Sequence, residues 1–80
     1  MTSAQISAIN ALWDIYRAVP VRTMVRTGVV LLKAPAAGTG RRCGHYNWCI
    51  VTPTGGELWF PTRPTAVEMQ RAARCTEVTP

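Results

Sequence analysis

The residues best equipped for chemistry in this 80-residue chain crowd into one stretch, Arg41-Arg42-Cys43-Gly44-His45-Tyr46-Asn47-Trp48-Cys49. Cys43, His45 and Cys49, joined by Cys75, would supply the three sulfurs and one nitrogen that tetrahedral zinc accepts. Structural zinc sites use knuckles of two to four residues, whereas this spacing on a strand spreads its ligands over about 20 Å. It argues against a metal, and no cofactor is expected. His45 is the sole histidine, so it alone has an unperturbed pKa near neutrality. With Tyr46 and two arginines beside it, His45 could act as general base and phosphate clamp in RNA cleavage. Cys43 or Cys49 as nucleophile would need the same base, and no orienting carboxylate is evident nearby.

The same stretch also suits binding. Nine Lys and Arg face four Asp and Glu, for a formal net charge of +5, and eight of the nine are Arg. The arginine fork grips phosphate or carboxylate with two donors at once, where lysine acts as a point charge. Between Asp14 and Glu57 there is no acidic residue, while Arg17, Arg22, Arg26, Lys33, Arg41 and Arg42 all fall there. Half the chain thus carries positive charge without internal neutralisation, which suits an acidic macromolecular partner: nucleic acid, or a protein of a nucleic-acid-handling complex. Tyr46, Trp48 and Trp59 offer stacking platforms for unpaired bases beside the phosphate contacts. Alternation places Tyr46 and Trp48 with Ile50 on a face expected to be core, which leaves Trp59 as the candidate for exposure.

Several elements must position these groups. Ile6, Ile9, Leu12, Trp13 and Tyr16 recur at helical spacing and predict an amphipathic helix over residues 4–18, with Ser3 as N-cap and Pro20 as a stop. Residues 21–28 fit either a strand or a short helix, with the extended form favoured. Val29 to about Ala34 reads as a buried strand, residues 35–40 as a loop that delivers Arg41 and Arg42, and His45–Thr52 as an alternating strand. A turn at 53–56 returns the chain through Glu57–Phe60 as a hairpin. Thr65 and Glu68 form a capping-box pair ahead of a helix ending near Cys75, and residues 76–80 read as a flexible tail. The expected fold is therefore α+β, a small antiparallel sheet of three or four strands flanked by an N-terminal and a C-terminal helix. Both helices are expected on one sheet face. A winged helix, with residues 20–27 as a second helix, is the alternative.

With helix, strands and helix in that order, Gly44-His45 opening a strand, a Pro53 and Gly55 turn and Pro61 before the last helix, the chain resembles the double-stranded-RNA-binding-like fold of HicA-type mRNA interferase toxins. That resemblance implies a metal-independent ribonuclease in which His45 carries cleavage. The chain departs from the family in having Cys43-Gly44 before the histidine, a longer Gly-rich loop ahead of it, and hydrophobic Leu58-Trp59-Phe60 in the following strand.

Size narrows the classes further. A single domain over residues 1–80 buries only ~60 to 65% of its unfolded surface and leaves little room for a deep cleft. The leading expectation is a non-enzymatic binding module, comparable in scale to phage-type inhibitors or regulators, that acts stoichiometrically on nucleic acid or on a protein that processes it. Its expected contact residues are Arg41, Arg42, His45, Trp59, Arg63, Arg71 and Arg74. Arg71 and Arg74, three apart on the last helix, would form a second basic patch. Three cysteines without a signal peptide suggest a reducing cytoplasm, and Val29–Leu32 is too short an apolar run to cross a bilayer.

Overall fold

The structure, a computed structural model, describes residues 1–35 and 47–78, the last four of these by backbone alone. Helix α1 (Ser3–Tyr16) leads into strands β1 (Val19–Met24), β2 (Val29–Lys33), β3 (Trp48–Val51) and β4 (Glu57–Phe60), and helix α2 (Ala66–Val78) follows. The four strands form an antiparallel meander in the order β1-β2-β3-β4. This is the expected helix, sheet, helix α+β architecture. The strand at Val19–Met24 removes the winged-helix alternative, which needed a helix there. Among the described residues no helix is long and apolar enough to cross a membrane.

Local chemistry sets the element ends. Thr2, not Ser3, caps α1: its Oγ accepts the Gln5 amide at 3.1 Å, and Gln5 Oε1 accepts the Thr2 amide at 3.0 Å, a capping box with glutamine in the reciprocal place. The helix stops at Arg17, whose amide makes the last helical bond to the Trp13 carbonyl and whose left-handed φ of 56° turns the Ala18 amide back onto that of Leu12. The stop thus comes before Pro20 can impose it. Thr65 and Glu68 form the capping box read from the sequence, at 3.2 and 2.9 Å. Helix α2 continues three residues beyond Cys75, so the region read as tail is helical over 76–78, and residues 79 and 80 lie outside the described residues.

The helices do not share a sheet face. Val30, Leu32, Cys49 and Val51 pack with Leu12 and Ala18 under α1, whereas Val29, Leu31 and Ile50 pack with Met69, Ala72 and Ala73 of α2. The expectation of one covered face is therefore corrected to a three-layer stack. The physical reason lies in β2: successive strand residues point to opposite sides, so four consecutive fully buried apolar residues, Val29–Leu32, demand cover on both. The small Ala72 and Ala73 let α2 lie close against the sheet. At the sheet's edge β1 receives no such cover, and its first five residues are exposed.

The end of the sheet near the start of α1 is tied together by polar contacts. Buried Gln5 donates through Nε2 to the carbonyl of Gly28 in the first hairpin turn and to that of Val51 at 3.4 Å. Thr2 Oγ donates to the Pro53 carbonyl at 2.7 Å in the second turn. Gly55, at φ 88°, lies so near α1 that a Cβ there would stand 3.0 Å from the Ala4 carbonyl oxygen, so only glycine closes this turn without strain.

Candidate functional site

The opposite end of the sheet gathers the start of β1, the end of β2, the start of β3 and the end of β4. Register places Val19 beside Lys33, Lys33 beside Trp48, and Trp48 beside Phe60, one row across all four strands. Two-residue periodicity puts Lys33, Trp48 and Phe60 on the face shared by Leu31 and Ile50, the α2 side. Trp48 and Phe60 pack against the margin of the α2 cluster and stay half-buried, as does Lys33.

Two cations use the Trp48 ring. Lys33 Nζ lies 4.3 Å from the ring centroid and the Arg63 guanidinium carbon 5.5 Å from it. Their charges are attracted by the negative face of the indole, a contact worth about 0.5–1 kcal/mol each at a site that water still reaches. Arg63 is exposed, but Pro64 after it is buried and anchors the segment between β4 and α2. Among the described residues their partner is an aromatic ring and not a carboxylate, so neither cation is paired with an anion of the chain there. Of the described acidic side chains, Asp14 stands on α1, Glu57 at the far end of β4, and Glu68 is engaged in the α2 cap. Next to Trp48, Asn47 hands its backbone carbonyl to the Ala34 amide at 2.7 Å. Its buried Oδ1 has no hydrogen-bond partner among the described residues.

The sequence-derived candidates fall in four places. Arg63 stands beside this row, in the segment between β4 and α2, with its guanidinium over the Trp48 ring. Trp59 is on the other face, half-buried and edge-to-face with Tyr16 at 5.1 Å, and so helps to close the α1 cluster. Arg71 and Arg74 are exposed on α2, turned away from the sheet that Met69, Ala72 and Ala73 contact. Arg41, Arg42 and His45 lie outside the described residues, as do Cys43 and Tyr46 and the side chain of Cys75.

Reactive chemistry finds little support in the described part. Cys49 is wholly buried under α1, and its thiol is pushed up to about 12, first by desolvation and then by the negative charge of Glu57. Nucleophilic attack and metal ligation both need the thiolate, which this environment disfavours. No three His, Cys, Asp or Glu side chains among the described residues gather as a metal site. What the row can do is hold anions, through two cations set on one ring.

Sequence reasoning assigned Lys33 to the basic half without singling it out and placed Trp48 in the core. The alternation Leu31, Lys33 was a usable signal, since a charge that ends a buried strand on an inward face must reach an edge. Its pairing with Trp48 depends on register between strands far apart in sequence, which composition does not encode. Compared with family models, with curated proteins and with solved structures, the chain matches none.

Proposed function

We propose that this chain is a small non-enzymatic binding module that acts stoichiometrically, as an inhibitor or regulator, on nucleic acid or on a protein of a nucleic-acid-processing complex. The observation that carries this reading is the pair of cations, Lys33 and Arg63, set over the Trp48 ring at an end of the sheet whose row holds no carboxylate. A phosphodiester backbone presents evenly repeated single anions. Two cations held by one ring meet such a chain with less side-chain freedom to lose than two free ones would. The exposed part of Trp48, with Phe60 beside it, adds apolar and stacking surface for a base if the strand is unpaired. The chain's net charge of +5 adds long-range attraction for the same partner.

The test is to titrate labelled single- and double-stranded RNA and DNA into the protein at rising salt. Saturable binding whose affinity falls steeply and linearly in log-log form with salt is the expected result, since each neutralised phosphate releases condensed counterions. No binding even at low salt would rule out direct nucleic-acid contact and leave the protein component of such a complex as the target.

A further inference from the structure

A second surface runs along β1 beyond Val19, the residue this strand contributes to the row just described. Among the described residues, strand order leaves this strand with a neighbour on one side only, so alternate peptide groups along its outer edge point outward, in position to pair with another extended chain. Neither helix covers it: Val19 and Val21 stand 42% and 46% exposed within the strand, and Val25 in the turn after it 90%. Three exposed arginines line the same element, Arg17 just before it, Arg22 within it and Arg26 in the turn after it.

We propose that the β1 edge binds an extended, acidic protein segment by strand addition. The edge supplies main-chain hydrogen bonds, the valines supply apolar contact for alternate side chains, and the arginines select for Asp or Glu in the incoming strand. The features that guard this edge also choose its occupant. Pro20 removes one donor, and the register slip between Pro20 and Arg22 bends the start of the strand, so the regular stretch left to pair is Arg22–Met24, flanked by the exposed Val21 and Val25 that supply the apolar contact. The arginines repel a second copy of this chain, because edge-to-edge pairing of two copies brings the same three positive groups together, and like charges across a strand pair destabilise it. An acidic strand turns that repulsion into attraction. The other edge strand, β4, is shorter, begins with Glu57 and has Trp59 engaged with Tyr16, so it offers neither the length nor the charge.

The test uses the full chain and a fluorescein-labelled peptide of alternating Glu and Val, followed by anisotropy. Three comparisons go with it: the same peptide N-methylated on alternate amides, a peptide of alternating Lys and Val, and the Arg22→Glu protein. The expected result is saturable binding of the Glu-Val peptide, weakened at least about tenfold by N-methylation and by Arg22→Glu, with no binding of the Lys-Val peptide. Equal affinity for the methylated and unmethylated peptides would overturn strand addition without depending on any variant's folding. No saturable binding at millimolar peptide would overturn the proposal outright. So would a concentration-dependent dimer, seen by light scattering, that Arg22→Glu strengthens or dissolves, since the occupant would then be a second copy. The Lys33→Ala, Arg63→Ala protein should bind the peptide as the parent does. The strand-addition surface and the nucleic-acid site can therefore fail independently.

Discussion

At one end of the sheet, where α1 begins and both hairpins turn, nearly every polar group is answered: Gln5 bonds two hairpin carbonyls, Thr2 bonds Pro53, and Thr52 Oγ accepts the Gly56 amide. At the other end, cations lie over an indole, and a buried Asn47 oxygen has no partner among the described residues. Hydrogen bonds close on themselves at the first end, and charge is left available at the second. In so small a domain the total stability is only a few kcal/mol. A sealed end is what makes an unsealed one tolerable.

The largest effect should follow from breaking the sealed end. Gln5→Ala strips partners from the Gly28 and Val51 carbonyls and from the Thr2 amide and leaves a void. A loss of about 3 kcal/mol is expected, enough to bring the domain close to unfolding at room temperature. Urea denaturation checks this. A cost below about 1 kcal/mol would show that the hydrogen bonds at this end are not what holds α1 to the hairpins. Affinity for nucleic acid, measured on the fraction that remains folded, should not move.

At the open end the balance reverses. Lys33→Ala with Arg63→Ala removes two exposed or half-exposed charges and two weak ring contacts. Thermal unfolding should shift little, while affinity for nucleic acid falls at least tenfold, ~1.4 kcal/mol. The salt slope should drop by about 1.4 for a single strand or 1.8 for a duplex. Arg71→Ala with Arg74→Ala removes equal charge from the outer side of α2 and should cost less. If that pair loses more affinity than the first, binding belongs to the helical side, and the open end has no special role.

Much of this architecture was legible in the chain. The hairpin read from alternation as His45–Thr52 and Glu57–Phe60 is present with β3 at Trp48–Val51, residues 45 and 46 lying outside the described residues, and the α2 cap followed from Thr65 and Glu68, because both depend on residues close in sequence. The misplaced α1 cap has a similar local cause: Thr2 and Ser3 are both good caps, and the choice turned on Gln5 three residues after Thr2. The single-faced packing was misread although its signal was present, since Val29–Leu32 is apolar at every position and a strand covered on one side would alternate. The grouping of Lys33, Trp48 and Arg63 was not legible. It joins two strands through register with a residue of the segment after β4, and the candidates Arg41, Arg42 and His45 lie outside the described residues.

The smallest effect tests how sharply the open end is confined to one face. Trp48 and Cys49 are adjacent, yet one meets cations on the α2 side while the other is sealed under α1. Burial raises the Cys49 thiol from 9.0 to about 12. Below pH 9 the thiol is neutral in both folded and unfolded chains, so it imposes no pH dependence there. Between pH 9 and 12 the unfolded chain loses the proton and the folded one keeps it, so stability declines as pH rises. The expected loss from this one group is about 1.4 kcal/mol at pH 10. Lysine and tyrosine titrate in the same range, so the informative quantity is the difference between parent and Cys49→Ala in urea midpoints at pH 7 and pH 10. The variant should be less stable at pH 7 because of the small cavity it leaves, and should lose less than the parent on going to pH 10. Parallel declines in the two proteins would mean that water already reaches Cys49, and that the open end extends through the sheet to the α1 side.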